Sequence, residues 1–331
     1  MIPNMWYAVL DSKEVKQGKP YGFRRLGEDL VFWRKQDGQI VVMRDYCPHR
    51  SAKLSVGKIV SDNIQCAFHG FQYDAEGDIQ LIPANGRNGP KPKIFQCRTR
   101  VAREAHGFIW VWNGEPREIY PPIPWFDDLE NHTYSTFQVH WDVDYTRAVE
   151  AQLDVAHLPF IHENTIGRDN KTLVNGPYTT LEDNKIEVWL SNQPDEGLPA
   201  LKPTELPPPD EQSMIRFYFP NVWQLRLFKG YCIVNISAPV DEENVVTYSR
   251  TYQNIVKVPV ISKLFTTISN MYNKYTLSED ERVAKTQVPK RTALDIGEKF
   301  IPGDRPIALY LLHRRKLIVE DTQSETAMSG V

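Results

Sequence analysis

Cysteine is scarce in this chain. Four in 331 residues are too few for a disulfide framework, and Cys97 and Cys232 stand alone in the sequence. They suit a reducing compartment, as inert buried thiols. Long apolar runs are missing as well: none reaches about eighteen residues, and the opening MIPNMWYAVLDSKEVKQGKP has no basic segment leading into an apolar one. Neither a spanning helix nor a secretory leader is expected, and a cytoplasmic location follows. Nor does one sign of charge prevail. Against 42 acidic residues stand 39 basic ones, a net charge of -3 with no long block of either sign. Electrostatics therefore gives no ground for nucleic acid or an anionic membrane as partner. There is no internal repeat, and no G-x-G-x-x-G following a strand that would hold a nicotinamide dinucleotide.

What is present is a globular composition, 41% hydrophobic and 24% charged, in a length suited to two domains. From Asp29 to about Trp112, short β-branched and aromatic runs (LVFW, IVVM, GFIWVW) alternate with Gly, Asp and Asn turns, the pattern of a small antiparallel β domain. The proline-bearing EIYPPIPWF breaks that pattern, which puts the domains at 1–118 and 119–331. The second domain should hold a helical stretch near 145–163, the strands KIEVWLS, NVWQLRLF and GYCIVNISA, a proline-rich loop LKPTELPPPDE, and a long helical region over about 258–288. The last ten residues read as disordered.

Chemistry concentrates in RDYCPHRSAKLSVGKIVSDNIQCAFHGFQYD. Cys47-Pro-His49 and Cys66-Ala-Phe-His69 form two arms about sixteen residues apart, each with one thiolate and one imidazole. A Rieske [2Fe-2S] centre needs that distribution, because one iron takes two Cys and the other two His. A structural zinc site uses the same residue types but commonly groups two Cys on one arm and two His on the other. CPHR, CAFHGFQYD-x-x-G and Pro83 resemble the Rieske domain family over about the first 115 residues, with Phe71 where the family often has Trp.

A second constellation lies in EAQLDVAHLPFIHE. Asp154, His157 and His162 have the spacing D-x2-H-x4-H in an otherwise apolar helical pattern. Asp154 and His157 would share a helix face, and Pro159 should distort the helix so that His162 converges with His157. Three ionisable groups buried together are costly unless paired or bound to metal. Two His and a carboxylate make the facial triad of non-haem iron sites. For the carboxylate, LSEDERVAKTQVP reads as a helix start, with Ser278 and Glu281 as a capping box. Asp280 shares the inward apolar face with Val283, Ala284 and Gln287, so we assign Asp280 rather than Glu279.

Together these motifs resemble the Rieske non-haem iron oxygenases, the α subunits of ring-hydroxylating and demethylating enzymes, along nearly the whole chain. The resemblance implies an α+β architecture: an all-β Rieske domain followed by a helix-grip catalytic domain, a curved antiparallel sheet around a long helix. It implies that Cys47, His49, Cys66 and His69 hold the cluster and that His157, His162 and Asp280 hold a mononuclear Fe(II). Asp154 becomes the carboxylate that bonds a ligand His and bridges to the Rieske centre. Many members carry Asn where this chain has Ala151. The chain looks most like the shorter vanillate demethylase type, which works as a homotrimer. O2 would be co-substrate, and electrons would come from a separate reductase, with or without a ferredoxin, so that NAD(P)H acts only indirectly. The expected activity is hydroxylation or oxidative demethylation of a small, largely apolar molecule, in preference to cis-dihydroxylation. The rival reading is an electron-transfer or redox-sensing protein whose second domain binds a ligand without oxidising it. In NVWQLRLF, Trp223, Leu225 and Leu227 alternate with Gln224 and Arg226, giving an apolar side that is either core or pocket wall.

Overall fold

The runs of β-branched and aromatic residues in the first third form three small sheets in the computed structural model, which describes the backbone of residues 1–329 and the side chains of residues 1–320. Of the last ten residues, expected to be disordered, those up to Ser329 instead continue a helix that begins at Arg305, and 330–331 lie outside the described residues. Met5–Asp11, Ala102–Ala105 and Phe108–Asn113 make one sheet. Tyr21–Arg25, Glu28–Arg34, Ile40–Arg44 and Thr99–Arg100 make the second, and Lys58–Val60, Asn63–Gln65, Gln72–Tyr73 and Ile79–Leu81 the third. The pairs within the second and third sheets are antiparallel. A core of Val31, Trp33, Met43, Leu54 and Ile64 also buries Cys47, Cys66 and Cys97. Cys97, remote from the two arms in sequence, therefore packs in the same core as their cysteines, which corrects its reading as an isolated thiol.

The chain divides into two compact units between Ile123 and Pro124, inside the proline-rich stretch, with residues 2–5 grouped in the second unit. That unit is built on a seven-stranded antiparallel sheet: β1 (Thr133–Trp141), β2 (Tyr178–Glu182), β3 (Lys185–Trp189), β4 (Ile215–Tyr218), β5 (Val222–Phe228), β6 (Tyr231–Pro239) and β7 (Val245–Gln253). The spatial order is β1-β7-β6-β5-β4-β3-β2, a meander whose first strand returns beside its last. Four helices follow the chain: α1 (Tyr145–Leu153), α2 (Leu158–Ile161), α3 (Pro259–Ala284) and α4 (Arg305–Ser329). Among the described residues no helix is long and apolar enough to cross a membrane.

α3 lies on one face of the sheet through polar contacts. Thr251 Oγ1 donates to Asn270 Oδ1 at 2.7 Å, Asn270 Nδ2 to Ser135 Oγ at 2.8 Å, and Gln253 Nε2 to Ser262 Oγ at 2.6 Å. Its buried positions are Ser262, Thr266, Asn270, Asn273, Leu277 and Ala284, while Leu264, Ile268 and Met271 are exposed. The apolar residues of its first turns thus face outward, and the side toward the sheet is mostly amide and hydroxyl.

Candidate metal centres and active site

Both cysteine arms fold alike. Cys47 N–H donates to Ala52 O at 2.8 Å and Ser51 N–H to Cys47 O at 2.8 Å; Cys66 N–H donates to Phe71 O at 2.8 Å and Gly70 N–H to Cys66 O at 3.0 Å. In each loop the residue four beyond the cysteine takes a left-handed turn, Ser51 at φ 55° and Gly70 at φ 71°, a conformation that costs glycine least. The two loops present Cys47 and Cys66 inward, fully buried and free of disulfide. The rings of His49 and His69 lie toward the surface with centroids 4.6 Å apart. Phe71 stacks on His49 at 4.6 Å, and Phe95 meets both rings edge-on. Burial pushes the Cys47 thiol up, and the Tyr73 hydroxyl 3.1 Å from Cys47 Sγ acts the other way. Burial, then the neighbouring His69 and Arg50, holds His49 below the usual imidazole range, so it is neutral as a ligand must be. His49 Nδ1 is buried with no hydrogen-bond partner among the described residues. Two inward thiols, two adjoining imidazoles and one orphaned ring nitrogen fit the donor set of a Rieske cluster.

The second centre grows from the end of α1. Asp154 stops that helix at φ -71°, ψ 128°, and its Oδ1 accepts from Ala156 N–H at 2.7 Å and His157 N–H at 3.3 Å. The helical stretch expected near 145–163 is therefore two helices. The break falls at Asp154, not at Pro159, which sits in the first turn of α2, where its missing N–H leaves nothing unpaired. His157 begins α2 and His162 ends it, so a single turn carries both rings to one side. The chain then folds back against α2. A Cβ on Gly167 would lie 2.0 Å from Leu158 O, so only glycine permits that approach.

The carboxylate comes from α3. No helix starts at Ser278: that segment is the last part of α3, and the expected capping box does not form, Ser278 Oγ donating instead to Tyr275 O at 2.6 Å. Asp280 Oδ1 lies 3.0 Å from His162 Nε2 and 3.4 Å from His157 Nε2, and the two Nε2 atoms are 3.3 Å apart. Metal–ligand bonds of about 2.1 Å place neighbouring donors about 3.0 Å apart at right angles and about 3.4 Å apart in a tetrahedron. The triangle has that size. Asp280 Oδ1 is buried yet in hydrogen-bond geometry with no partner among the described residues, as expected of a donor aimed at a shared centre. His157, His162 and Asp280 form a group that can hold a metal ion.

Glu279, set aside in the sequence reading, has its own part. Its Oε2 accepts from His162 Nδ1 at 2.9 Å and from Thr165 Oγ1 at 2.8 Å. With the proton held on Nδ1, the Nε2 lone pair of His162 is free to face the centre. Burial disfavours the His162 imidazolium, but Asp280 and Glu279 together outweigh it and raise its pKa. On the far side of His157, Asp154 Oδ1 lies 3.6 Å from Nδ1. Burial would raise the Asp154 carboxyl, and its contacts with His157 and the Ala156 N–H hold it below the ordinary range. The spacing of Glu279 from His162 could not be read from sequence, because it depends on how α3 is rotated against α2.

An ion-pair clamp fixes α1 against the segment after α3. Arg147, fully buried, donates to Glu150 Oε2 at 2.6 Å, to Glu298 Oε1 at 2.7 Å and to Pro289 O at 3.0 Å. Thr292 Oγ1 donates to Glu150 Oε1 at 3.1 Å. The chain leaving Asp280 is thereby tied to the helix leading to His157. A cavity of about 290 Å³ adjoins the triad, with Ala151, Asp154, His157, Asp280 and Gln287 in its wall. The remaining cysteine, Cys232, is buried, and its thiol is pushed up to about 12 by that burial.

Known proteins resemble this chain in both of its parts. Residues 5–101 match the Rieske [2Fe-2S] domain family, and residues 141–306 match the vanillate O-demethylase oxygenase C-terminal domain. The chain is 31% identical over 187 residues to a vanillate O-demethylase oxygenase subunit of Pseudomonas sp., a match covering 54% of this chain and 50% of that protein. It is 32% identical over 164 residues to the oxygenase component of dicamba O-demethylase from Stenotrophomonas maltophilia, covering 49% and 48%. The chain thus spans about half the length of the curated relatives it matches. Among solved structures, NdmA of Pseudomonas putida CBB5 superposes with a TM-score of 0.79 at 23% identity over 97% of this chain and 92% of that one, which is a likeness of fold. From its cluster loops to its triad, the chain belongs to the Rieske oxygenase α subunits whose catalytic half is the vanillate O-demethylase oxygenase C-terminal domain.

Proposed function

We propose that this protein is the terminal oxygenase component of a multicomponent system that hydroxylates or oxidatively demethylates a small organic substrate in the cytoplasm. The observation that carries the reading is the triangle of His157 Nε2, His162 Nε2 and Asp280 Oδ1, with edges of 3.0–3.4 Å. An electron carrier or redox sensor has no use for such a group. Cys47, His49, Cys66 and His69 would hold the [2Fe-2S] cluster, and His157, His162 and Asp280 the Fe(II). When bound, the cluster supplies single electrons and the iron supplies O2 activation beside the substrate.

The chain's own residues do the rest. Glu279 keeps the His162 proton on Nδ1, and Asp154 holds the backbone N–H groups that start α2, so both rings present Nε2. Asp154, ionised and bonded toward His157, is the group suited to couple that ring to an incoming electron. A separate reductase, with or without a ferredoxin, and a homotrimeric assembly follow from the family likeness.

Metal analysis tests the reading. Anaerobically purified protein should contain acid-labile sulfide and about three irons per chain, two in the cluster and one in the triad. His157→Ala, His162→Ala and Asp280→Ala should each lose the third iron and turnover while keeping the Rieske spectrum. About two irons in the wild type, unaffected by these changes, would support the carrier instead. Zinc without sulfide would sink both.

A further inference from the structure

The face of the sheet that receives α1 and α3 carries no formal charge. Cross-strand partners in antiparallel pairs project to the same face. Following the registers from Trp223 to Asn235, Ser249 and Phe137, and outward through Phe217 to Ile186, gives one face of all seven strands. Among the described residues no Asp, Glu, Lys, Arg or His occurs on it. The charged strand residues, such as Lys185, Glu187, Arg216, Arg226 and Arg250, fall on the opposite face.

This inner face is nonetheless polar. Under α3 its polar groups are satisfied, since Thr251 and Gln253 bond Asn270, Asn273 and Ser262. Beside α1 they are not. Gln152 Oε1, Trp223 Nε1, Asn235 Oδ1, Thr247 Oγ1 and Ser249 Oγ are buried with no hydrogen-bond partner among the described residues. Their residues are at most 8% exposed. They adjoin one another: Asn235 pairs with both Trp223 and Ser249, and Ser237, which pairs with Thr247, accepts from Gln152 Nε2 at 3.3 Å. Gln152 is also two residues before Asp154, at the end of the helix that leads to both histidines. Buried polar groups are ordinarily satisfied by protein or ordered water, so five orphans in one patch mark a place that favours a hydrogen-bonding occupant.

We propose that this patch receives the substrate, and that the substrate is an uncharged molecule with an amide-like edge that both donates and accepts hydrogen bonds. The amide oxygens of Gln152 and Asn235 need donors, the indole N–H of Trp223 needs an acceptor, and the hydroxyls of Thr247 and Ser249 serve either. A carboxylate offers no donor and would bring a buried charge to a face without a counter-ion; an ammonium group offers no acceptor. Leu225, Ile233 and Phe137 share the face and would offer apolar surface to a ring body. The proposal rests on the oxygenase reading of the triad.

Binding tests it without turnover. The holoprotein, with iron and sulfide content verified, is titrated calorimetrically with matched carboxamide and carboxylate pairs on aromatic and alicyclic rings, 4-methoxybenzamide and 4-methoxybenzoate among them. The neutral members should bind at least tenfold tighter. Asn235→Leu and Ser249→Ala, checked for retained metal content and melting temperature, should each reduce that preference, and Ser249→Lys should shift it toward the carboxylates. Tighter binding of the carboxylates, binding of no neutral member, or a preference unmoved by Asn235→Leu overturns the proposal. The metal count is a separate readout, so failure here with three irons present leaves the oxygenase reading standing, and a missing third iron fails that reading instead.

Discussion

Replacing Glu279 by Gln separates a ligand from the group that orients a ligand. The side chain keeps its size, but its Oε2 loses the charge behind two hydrogen bonds, from His162 Nδ1 at 2.9 Å and from Thr165 Oγ1 at 2.8 Å. Hydrogen bonds to a charged group contribute about 1.5–3 kcal/mol net and neutral ones about 1 kcal/mol. The change therefore weakens the support of His162 by about 1–2 kcal/mol. At about 1.4 kcal/mol per factor of ten, iron affinity should fall about tenfold, at the low end of the 10- to 100-fold range typical when the partner of a metal-bound His is altered. Glu279→Ala, which leaves Nδ1–H with no acceptor, should fall further. The assay removes the mononuclear iron with a chelator, checks by absorbance that the cluster remains, and titrates Fe(II) back anaerobically against a competing chelator. Asp280→Ala should show no rebinding. If Glu279→Gln binds iron at native affinity, the orienting role is wrong. If Glu279 variants fail to rebind at any concentration while Asp280→Ala does rebind, the two acids have been assigned the wrong way round.

Three other outcomes follow from the geometry. His69→Cys should keep a cluster in part of the protein and lower its reduction potential, because a thiolate adds negative charge; voltammetry showing an unchanged potential would remove His69 from the ligand set. Asp154→Asn preserves an oxygen for the Ala156 and His157 N–H groups, so both metals should stay while turnover drops at least tenfold, and normal turnover or lost iron would contradict the coupling role. Arg147→Ala leaves Glu150 and Glu298 without their buried cation and should destabilise the protein by about 3–5 kcal/mol in urea unfolding; a loss below about 1 kcal/mol would mean that the clamp does not hold α1.

Much of the site was legible because its chemistry depends on residue type at short spacing. The two cysteine arms and the pair His157 and His162 are each local, and the loops that carry them are closed by backbone bonds within five residues. What escaped the sequence is non-local. Glu279 and Asp280 are adjacent on one helix, and both reach the histidine pair: Asp280 the Nε2 atoms, Glu279 the Nδ1 of His162. A choice between them by helix face was bound to miss that both point inward, with different partners. The break at Asp154 escaped for a related reason. Its carboxylate bonds the chain two and three residues on, a local competitor to the helix that outranks the proline five positions later.

The selection of Asp280 rested on an inward apolar face, and α3 does not obey that pattern over most of its length. Ala284 is buried, but Val283 is 36% exposed, and the inward residues one to three turns before Asp280 are Leu277, Asn273 and Asn270. An amphipathic helix normally turns its apolar stripe to the core because burial of apolar area is the main stabilising term. Here the partner face of the sheet is itself polar, with Thr247, Ser249, Thr251 and Gln253 in alternation along β7. The hydroxyls and amides of the sheet under α3 take hydroxyls and amides of the helix as partners, so the inward stripe is Ser262, Thr266, Asn270 and Asn273, and Leu264, Ile268 and Met271 are left outside. The same substitution of polar for apolar continues past the edge of α3 into the unpaired patch around Asn235. An interior face built from hydroxyls and amides thus departs from the periodicity that identifies ordinary cores, which is why apolar patterning alone was a poor guide to the inward side of α3.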